Sequence, residues 1–105
     1  MISRHWKGVV KSGREEEYVR YLRTETFPRL ARNAGFLRAT ILRRHAGEGT
    51  EFQIVTLWKS LDAIQAFAGG DAEAAVVPPA AQELLLRYDS RAVHYEVAET
   101  FDAPV

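Results

Sequence analysis

Residues 51–59, EFQIVTLWK, carry apolar side chains on both faces of what must be a β-strand. Alternate side chains of a strand point to opposite sides. Phe52, Ile54, Thr56 and Trp58 therefore share one face, and Gln53, Val55 and Leu57 share the other. A strand of this kind belongs in the middle of a sheet that is covered on both sides. With 105 residues the chain has the length of one domain. Its own helices can supply one cover, and the second must come from elsewhere.

The flanking sequence supplies the helices. Residues 2–10 read as a first strand, closed by Lys11-Ser12-Gly13. Ser12 followed three positions later by Glu15 predicts a capping box opening a helix over 13–33. Glu15, Glu16 and Glu17 lie where the helix dipole favours negative charge, and Arg29 and Arg32 where it favours positive charge. Tyr18, Leu22 and Leu30 give this helix an apolar stripe, and Pro28 predicts a kink near Thr26–Phe27 because it removes a backbone donor. Gly35 is placed to cap its end. Residues 36–45 form the second strand, AGEGT a hairpin turn, and 51–59 the third strand. Ser60 caps a helix over 61–68, and Asp71 opens a short turn that runs to Val76. After Pro78-Pro79, AAQELLLRYD reads as a last helical segment and SRAVHYEVAE as the fourth strand. Residues 1–99 make one domain, and 100–105 a tail.

The order βαββαβ predicts an α+β, ferredoxin-like fold: a four-stranded antiparallel sheet in the order 4-1-3-2, with both helices on one side. A second copy meeting it sheet to sheet would cover the bare side and make a dimeric α/β barrel. On this expectation Trp58 faces the partner in a homodimer. Composition narrows the functions. The absence of cysteine excludes disulfides and thiolate chemistry. His5, His45 and His94 show no spacing suited to a metal, so none is expected. No run approaches the ~20 apolar residues of a membrane span, and no leader-like run opens the chain, so a cytoplasmic protein is expected. Residues 1–50 hold eleven Arg and Lys against five Glu, and residues 51–105 hold three against nine acidic residues. The net charge is zero, which argues against nucleic acid as a partner.

GFLRATILRR after the first helix, FQIVTLWKSLDAIQAFAGGD across the third strand and second helix, Pro78-Pro79 and His94-Tyr95-Glu96-Val97 carry a family resemblance. Together they resemble the antibiotic-biosynthesis monooxygenase (ABM) superfamily of dimeric α+β barrels, closest to an uncharacterised bacterial branch. The resemblance implies a cofactor-independent monooxygenase acting on a small aromatic or phenolic molecule in a cavity. Its alternatives are a dimeric barrel that binds a small ligand without turnover and, less well supported, a haem-degrading monooxygenase. It also implies that Trp58 lines the cavity and that Trp6 faces it. The haem-degrading members need a histidine where this chain has Val76 and an asparagine where it has Trp6. Valine cannot ligate iron, so no cofactor is expected.

Among the residues themselves, His94 is the candidate catalytic base, because an imidazole titrates near working pH. The competing reading is a histidine bonded to Glu96 or to a backbone carbonyl. Trp58, Trp6, Phe52 and Tyr95 are the candidate aromatic walls, with Tyr88 nearby, and dimer or core packing is the alternative for each. Arg4 shares the Trp6 face of the first strand and is a candidate partner for a ligand oxygen.

Overall fold

The computed structural model describes residues 1–105. Element order is β1 (Ile2–Lys11), α1 (Glu15–Tyr21), a π-helical turn (Leu22–Thr26), α2 (Phe27–Leu30), β2 (Phe36–His45), β3 (Gly49–Trp58), α3 (Leu61–Ala68), α4 (Pro79–Gln82), β4 (Leu85–Tyr88) and β5 (Val93–Glu96). The fold is α+β, with an antiparallel sheet in the order β2-β3-β1-β4. β5 also pairs with β1, so the last position in the sheet is divided between two strands. β5 meets Ile2–His5, and β4 meets Gly8–Val10. The helix therefore stops at Gln82, and the leucine run passes through a turn at Leu84 into strand from Leu85. A register shift at Val9/Val10 accommodates Leu86 as an extra residue.

The predicted capping box does not form. Arg14 is the N-cap residue, without a side-chain bond, and Glu15 Oε1 reaches back to the amide of Gly13. Gly13 has a φ of +88°, so the chain enters the helix through a glycine turn that moves Ser12 out of capping position. The effect of Pro28 spreads over the preceding turn. The amide of Phe27 bonds to the carbonyl of Leu22, five residues back, and Leu22–Thr26 widens to a π turn. Ser60 caps α3 as expected, accepting from the Ala63 amide at 3.2 Å. Gly35 is not a left-handed cap. A Cβ there would lie 2.3 Å from the Ala63 Cβ, so glycine is needed for the close approach of α3.

Both long helical segments cover the face that carries Phe52, Ile54, Thr56 and Trp58. Two apolar clusters result. One holds Val10, Tyr18, Leu22, Phe52, Ile54, Ala81, Leu84 and Leu85. The other holds Leu30, Trp58 and Ile64, with Phe36 and Phe67 against them. Trp58 thus faces the helices of its own chain, contrary to the expectation that it meets a partner. It is fully buried, its Nε1 donates to Thr56 Oγ1 at 2.8 Å, and it stacks on Phe67. The opposite face of the sheet is bare. It presents Leu42, Leu86, Val93 and Tyr95, each close to half exposed or more. No helix is long and apolar enough to cross a membrane.

Candidate functional site: a cavity between the two core clusters

The two clusters do not close on each other. Between them, and between helices and sheet, lies a cavity of about 70 Å³. Phe27 packs against both clusters and forms part of the cavity wall. Leu22 and Thr26, the ends of the π turn, stand beside it. Widening one helical turn shifts the helix register relative to the sheet, and Pro28 is the sequence feature that accounts for the gap. Val76, Val77 and Pro78 form the opposite wall. They belong to residues 69–78, which have no regular secondary structure and are tied down by a few bonds. Among these are Ala75 N to Ser90 O at 3.0 Å and Ala92 N to Glu73 O at 2.7 Å.

The floor is the sheet. Trp6 contributes an indole whose Nε1 donates to Asp89 O at 2.8 Å. Gly8 leaves room for this indole, since a Cβ there would come within 2.9 Å of Trp6 Cη2. In the next register row, three polar residues lie side by side across the sheet: His94 on β5, Arg4 on β1 and Thr56 on β3. Arg4 is only 5% exposed. Its Nη1 donates to Ala72 O and to His94 Nε2, the latter at 2.8 Å, and Nη2 donates to Ala74 O at 2.8 Å. Its guanidinium also lies 5.6 Å from the centre of the Phe67 ring. All three hydrogen-bond acceptors are neutral. Asp71 and Glu73, the nearest carboxylates, pair with Arg91 instead. Burial lowers the Arg4 pKa and these carboxylates oppose the shift. The group stays charged, since arginine does not deprotonate in proteins.

A guanidinium offers only donors, so His94 Nε2 must be the acceptor and the ring proton must sit on Nδ1. Burial, followed by the Arg4 charge, holds His94 below its ordinary value of 6.5, with Glu73 opposing. His94 is therefore neutral at pH 7, and the lone pair a base would use is engaged. It touches the cavity's arginine and is not itself part of the wall.

Other residues singled out in the sequence lie elsewhere. Phe52 is fully buried in the first cluster, edge-on to Tyr18 at 5.1 Å. Trp58 stands behind Phe67 and Thr56, which screen it from the cavity. Tyr95 is 56% exposed on the bare sheet face, against His5. Of the proposed binding residues, Arg4 and Trp6 are in the wall. Thr56, Phe27, Leu22 and Phe67 are wall residues that the sequence did not single out for the site. Only the predicted kink at Pro28 hinted at them. No three His, Cys, Asp or Glu side chains gather where they could hold a metal ion.

The family profile described as antibiotic biosynthesis monooxygenase matches residues 1–79 of this chain. The chain belongs to that family. ABM folds recur among its structural neighbours. A candidate antibiotic biosynthesis monooxygenase from Bacillus cereus superposes with a TM-score of 0.68 at 18% identity, covering 100% of this chain and 98% of its own. The heme-degrader MhuD from Mycobacterium tuberculosis, with two hemes bound in its active site, gives 0.68 at 23% identity, covering 97% and 100%. SnoaB, a cofactor-independent oxygenase from Streptomyces nogalater, gives 0.65 at 18% identity for its N63A mutant, covering 97% of each chain. No curated protein matches significantly. At these identities the neighbours establish the shared ABM fold, and the chemistry has to be read from this chain's own residues.

Those residues do not fit haem. The cavity wall holds no histidine, cysteine or methionine, and Val76 is one of its members. Tyr18 is a wall residue, but burial pushes its phenol far above the ordinary tyrosine range, so it is not available as a tyrosinate ligand. The volume is also far below the ~300–1,000 Å³ of pockets that enclose drug-sized ligands.

Proposed function

We propose that this ABM protein is a cofactor-independent monooxygenase acting on a small aromatic or phenolic molecule, and that it works as a homodimer joined through the bare sheet face. One observation carries the reading: an aromatic-walled apolar cavity has a single buried cation at its floor, and no acidic side chain in its wall. Cavities of this kind hold a ring by its faces and orient it by one polar group.

The reaction balances without a cofactor. A phenol with an open para carbon supplies four electrons to dioxygen. One oxygen atom becomes the second carbonyl of a quinone, and the other leaves as water with the phenolic and para hydrogens. The protein's task is to hold the ring, exclude bulk water and favour the ionised, electron-rich form of the phenol. An engineered cavity of ~150 Å³ takes up benzene. The smaller cavity here therefore admits a ring only as a wall yields, and the loosely tied 69–78 segment is the wall most able to do so. A haem-sized or polycyclic occupant would require far larger movement.

Oxygen uptake with a panel of open-para phenols tests the reading. Substrate-dependent uptake by the wild type is expected, together with quinone formation. If no member of the panel drives uptake, while some raise the melting temperature and are recovered unchanged, the protein is a binding module. The engaged lone pair of His94 is the observation that favours this second reading.

A further inference from the structure

The row His94–Arg4–Thr56 has a property that the monooxygenase reading does not require. What it leaves free toward the cavity is N–H and O–H donors, with one lone pair remaining on Thr56 Oγ1. Arg4 has five N–H groups. Three are used on Ala72 O, His94 Nε2 and Ala74 O, which leaves Nε–H and one Nη2–H without a protein partner. Nε is not sealed away, because the structure contains no fully buried side-chain nitrogen lacking a bond. Thr56 Oγ1 already accepts from Trp58 Nε1 and keeps its own O–H and one lone pair. Arg4 and Thr56 are direct cross-strand partners, which sets their side chains next to each other on one face. No Asp or Glu is in the wall. A buried cation with no carboxylate bonded to it, its counter-charge reaching it only through space from Asp71 and Glu73, and an adjacent hydroxyl donor together form a site for one oxyanion.

Resting on the reading that the cavity takes a small phenol, we infer that the phenol is bound as its phenolate, with the oxygen on Arg4 and Thr56. His94 is then a positioning residue, not the base. Its neutral Nε2 holds the guanidinium in place, and the phenol loses its proton to solvent on entering. An opposite charge within ~4–6 Å lowers an acid's pKa by about 1–3 units. That range is enough to ionise an ordinary phenol only in part, so acidic phenols are favoured.

4-Nitrophenol is the probe. Its phenolate has a visible absorption band that the neutral form lacks, and its blocked para position keeps it from reacting. Titrated into the native protein at a pH below the free compound's pKa, it should acquire the phenolate band. It should also bind at least about tenfold more tightly than 4-nitroanisole, the methyl ether that cannot ionise. Arg4→Met should abolish the band. If that variant does not fold, the comparison of the two ligands on native protein decides alone. His94→Gln keeps an acceptor for Arg4 and should retain the band, which a general base at this position would not allow. A bound spectrum of neutral nitrophenol, equal affinity for the ether, or no binding at all overturns the inference. A phenolate band with no oxygen uptake from open-para phenols removes the oxygenase reading and leaves the oxyanion site standing.

Discussion

Filling the cavity should strengthen the fold and remove its capacity for ligand, and Ala81 is the place to do it. Ala81 is 5% exposed on α4, belongs to the cluster that holds Tyr18 and Leu22, and forms part of the cavity wall. An enclosed void destabilises by roughly 24 cal/mol per Å³, so for about 70 Å³ that is open on one side, somewhat under about 2 kcal/mol is the upper bound on what filling can recover. Leucine at this position adds three carbons, each contributing ~0.8 kcal/mol when buried. Its helix propensity is close to that of alanine. Overpacking opposes the gain, because the new side chain must find a staggered rotamer among Tyr18, Leu22 and Val77. The expected net change for Ala81→Leu is a stabilisation of about 0.5–1.5 kcal/mol. Urea unfolding should show a higher midpoint at unchanged slope. In a domain of this size each kcal/mol corresponds to about 4–8 °C in melting temperature. Binding of 4-nitrophenol, and any oxygen uptake, should fall at least tenfold. This pairing of gained stability with lost function is the signature of a void kept for use. A variant that loses 1 kcal/mol or more, or that binds as well as the wild type, would show that the gap is a packing detail.

Three further outcomes follow from the same structure. Leu86→Glu and Val93→Glu place charge on the bare sheet face, where both native residues are about half exposed. Sedimentation should change from a mass of two chains to one, with the fold retained, and a wild type that already runs as one chain would remove the dimer. Burial holds both His5 and His94 below their ordinary value of 6.5, assisted for His94 by the Arg4 charge. Below about pH 6.5 the unfolded chain therefore binds more protons than the folded one, so stability should fall as pH drops from there toward the folded pKa values. Urea midpoints at pH 7.5 and 5.5 measure the loss, and His5→Asn with His94→Gln should flatten it. Gly35→Ala drives a methyl group into Ala63, at 2.3 Å before relaxation, and should cost about 1–3 kcal/mol. The companion change Ala63→Gly should recover part of this loss.

The strand order was legible because the element order βαββαβ with right-handed crossovers fixes it, and because β3 alternates strictly from Phe52 to Trp58. The sides of the sheet were not. Periodicity groups Phe52, Ile54, Thr56 and Trp58 together, but it does not say which face the helices choose when Val55 and Leu57 make the other face apolar as well. The choice follows from side-chain size. The larger set, with Tyr18 and Phe67 reaching down to it, fills the space beneath two helices, and the smaller set is left bare. That one reversal moved Trp58 from a partner interface to the chain's own core. The leucine run at 84–86 was ambiguous for a related reason. Three consecutive apolar residues suit a helix or a strand equally; Leu84 closes the turn after α4, and pairing with Gly8–Val10 makes the chain strand from Leu85 on.

Arg4 and His94 show where sequence reasoning reaches a site without reaching its mechanism. Each was identifiable alone: an arginine on the face of a tryptophan, and a histidine in a closing strand. Their relation depends on β5 lying beside β1 with Arg4 opposite His94, a register set by contacts ninety residues apart in sequence. Once they are adjacent, the chemistry of each changes. Burial and then the arginine's charge keep the imidazole neutral, and the imidazole's only free lone pair is spent on the arginine. A histidine that would be a base in isolation becomes an acceptor that fixes a cation. The cation is hydrogen-bonded only to neutral groups, and Asp71 and Glu73 act on it through space without touching it. If the site acts on phenols, the driving force for ionising them lies in the N–H groups of Arg4 that no carboxylate occupies. The pH dependence of turnover should then follow the substrate's pKa across a phenol series rather than any single histidine.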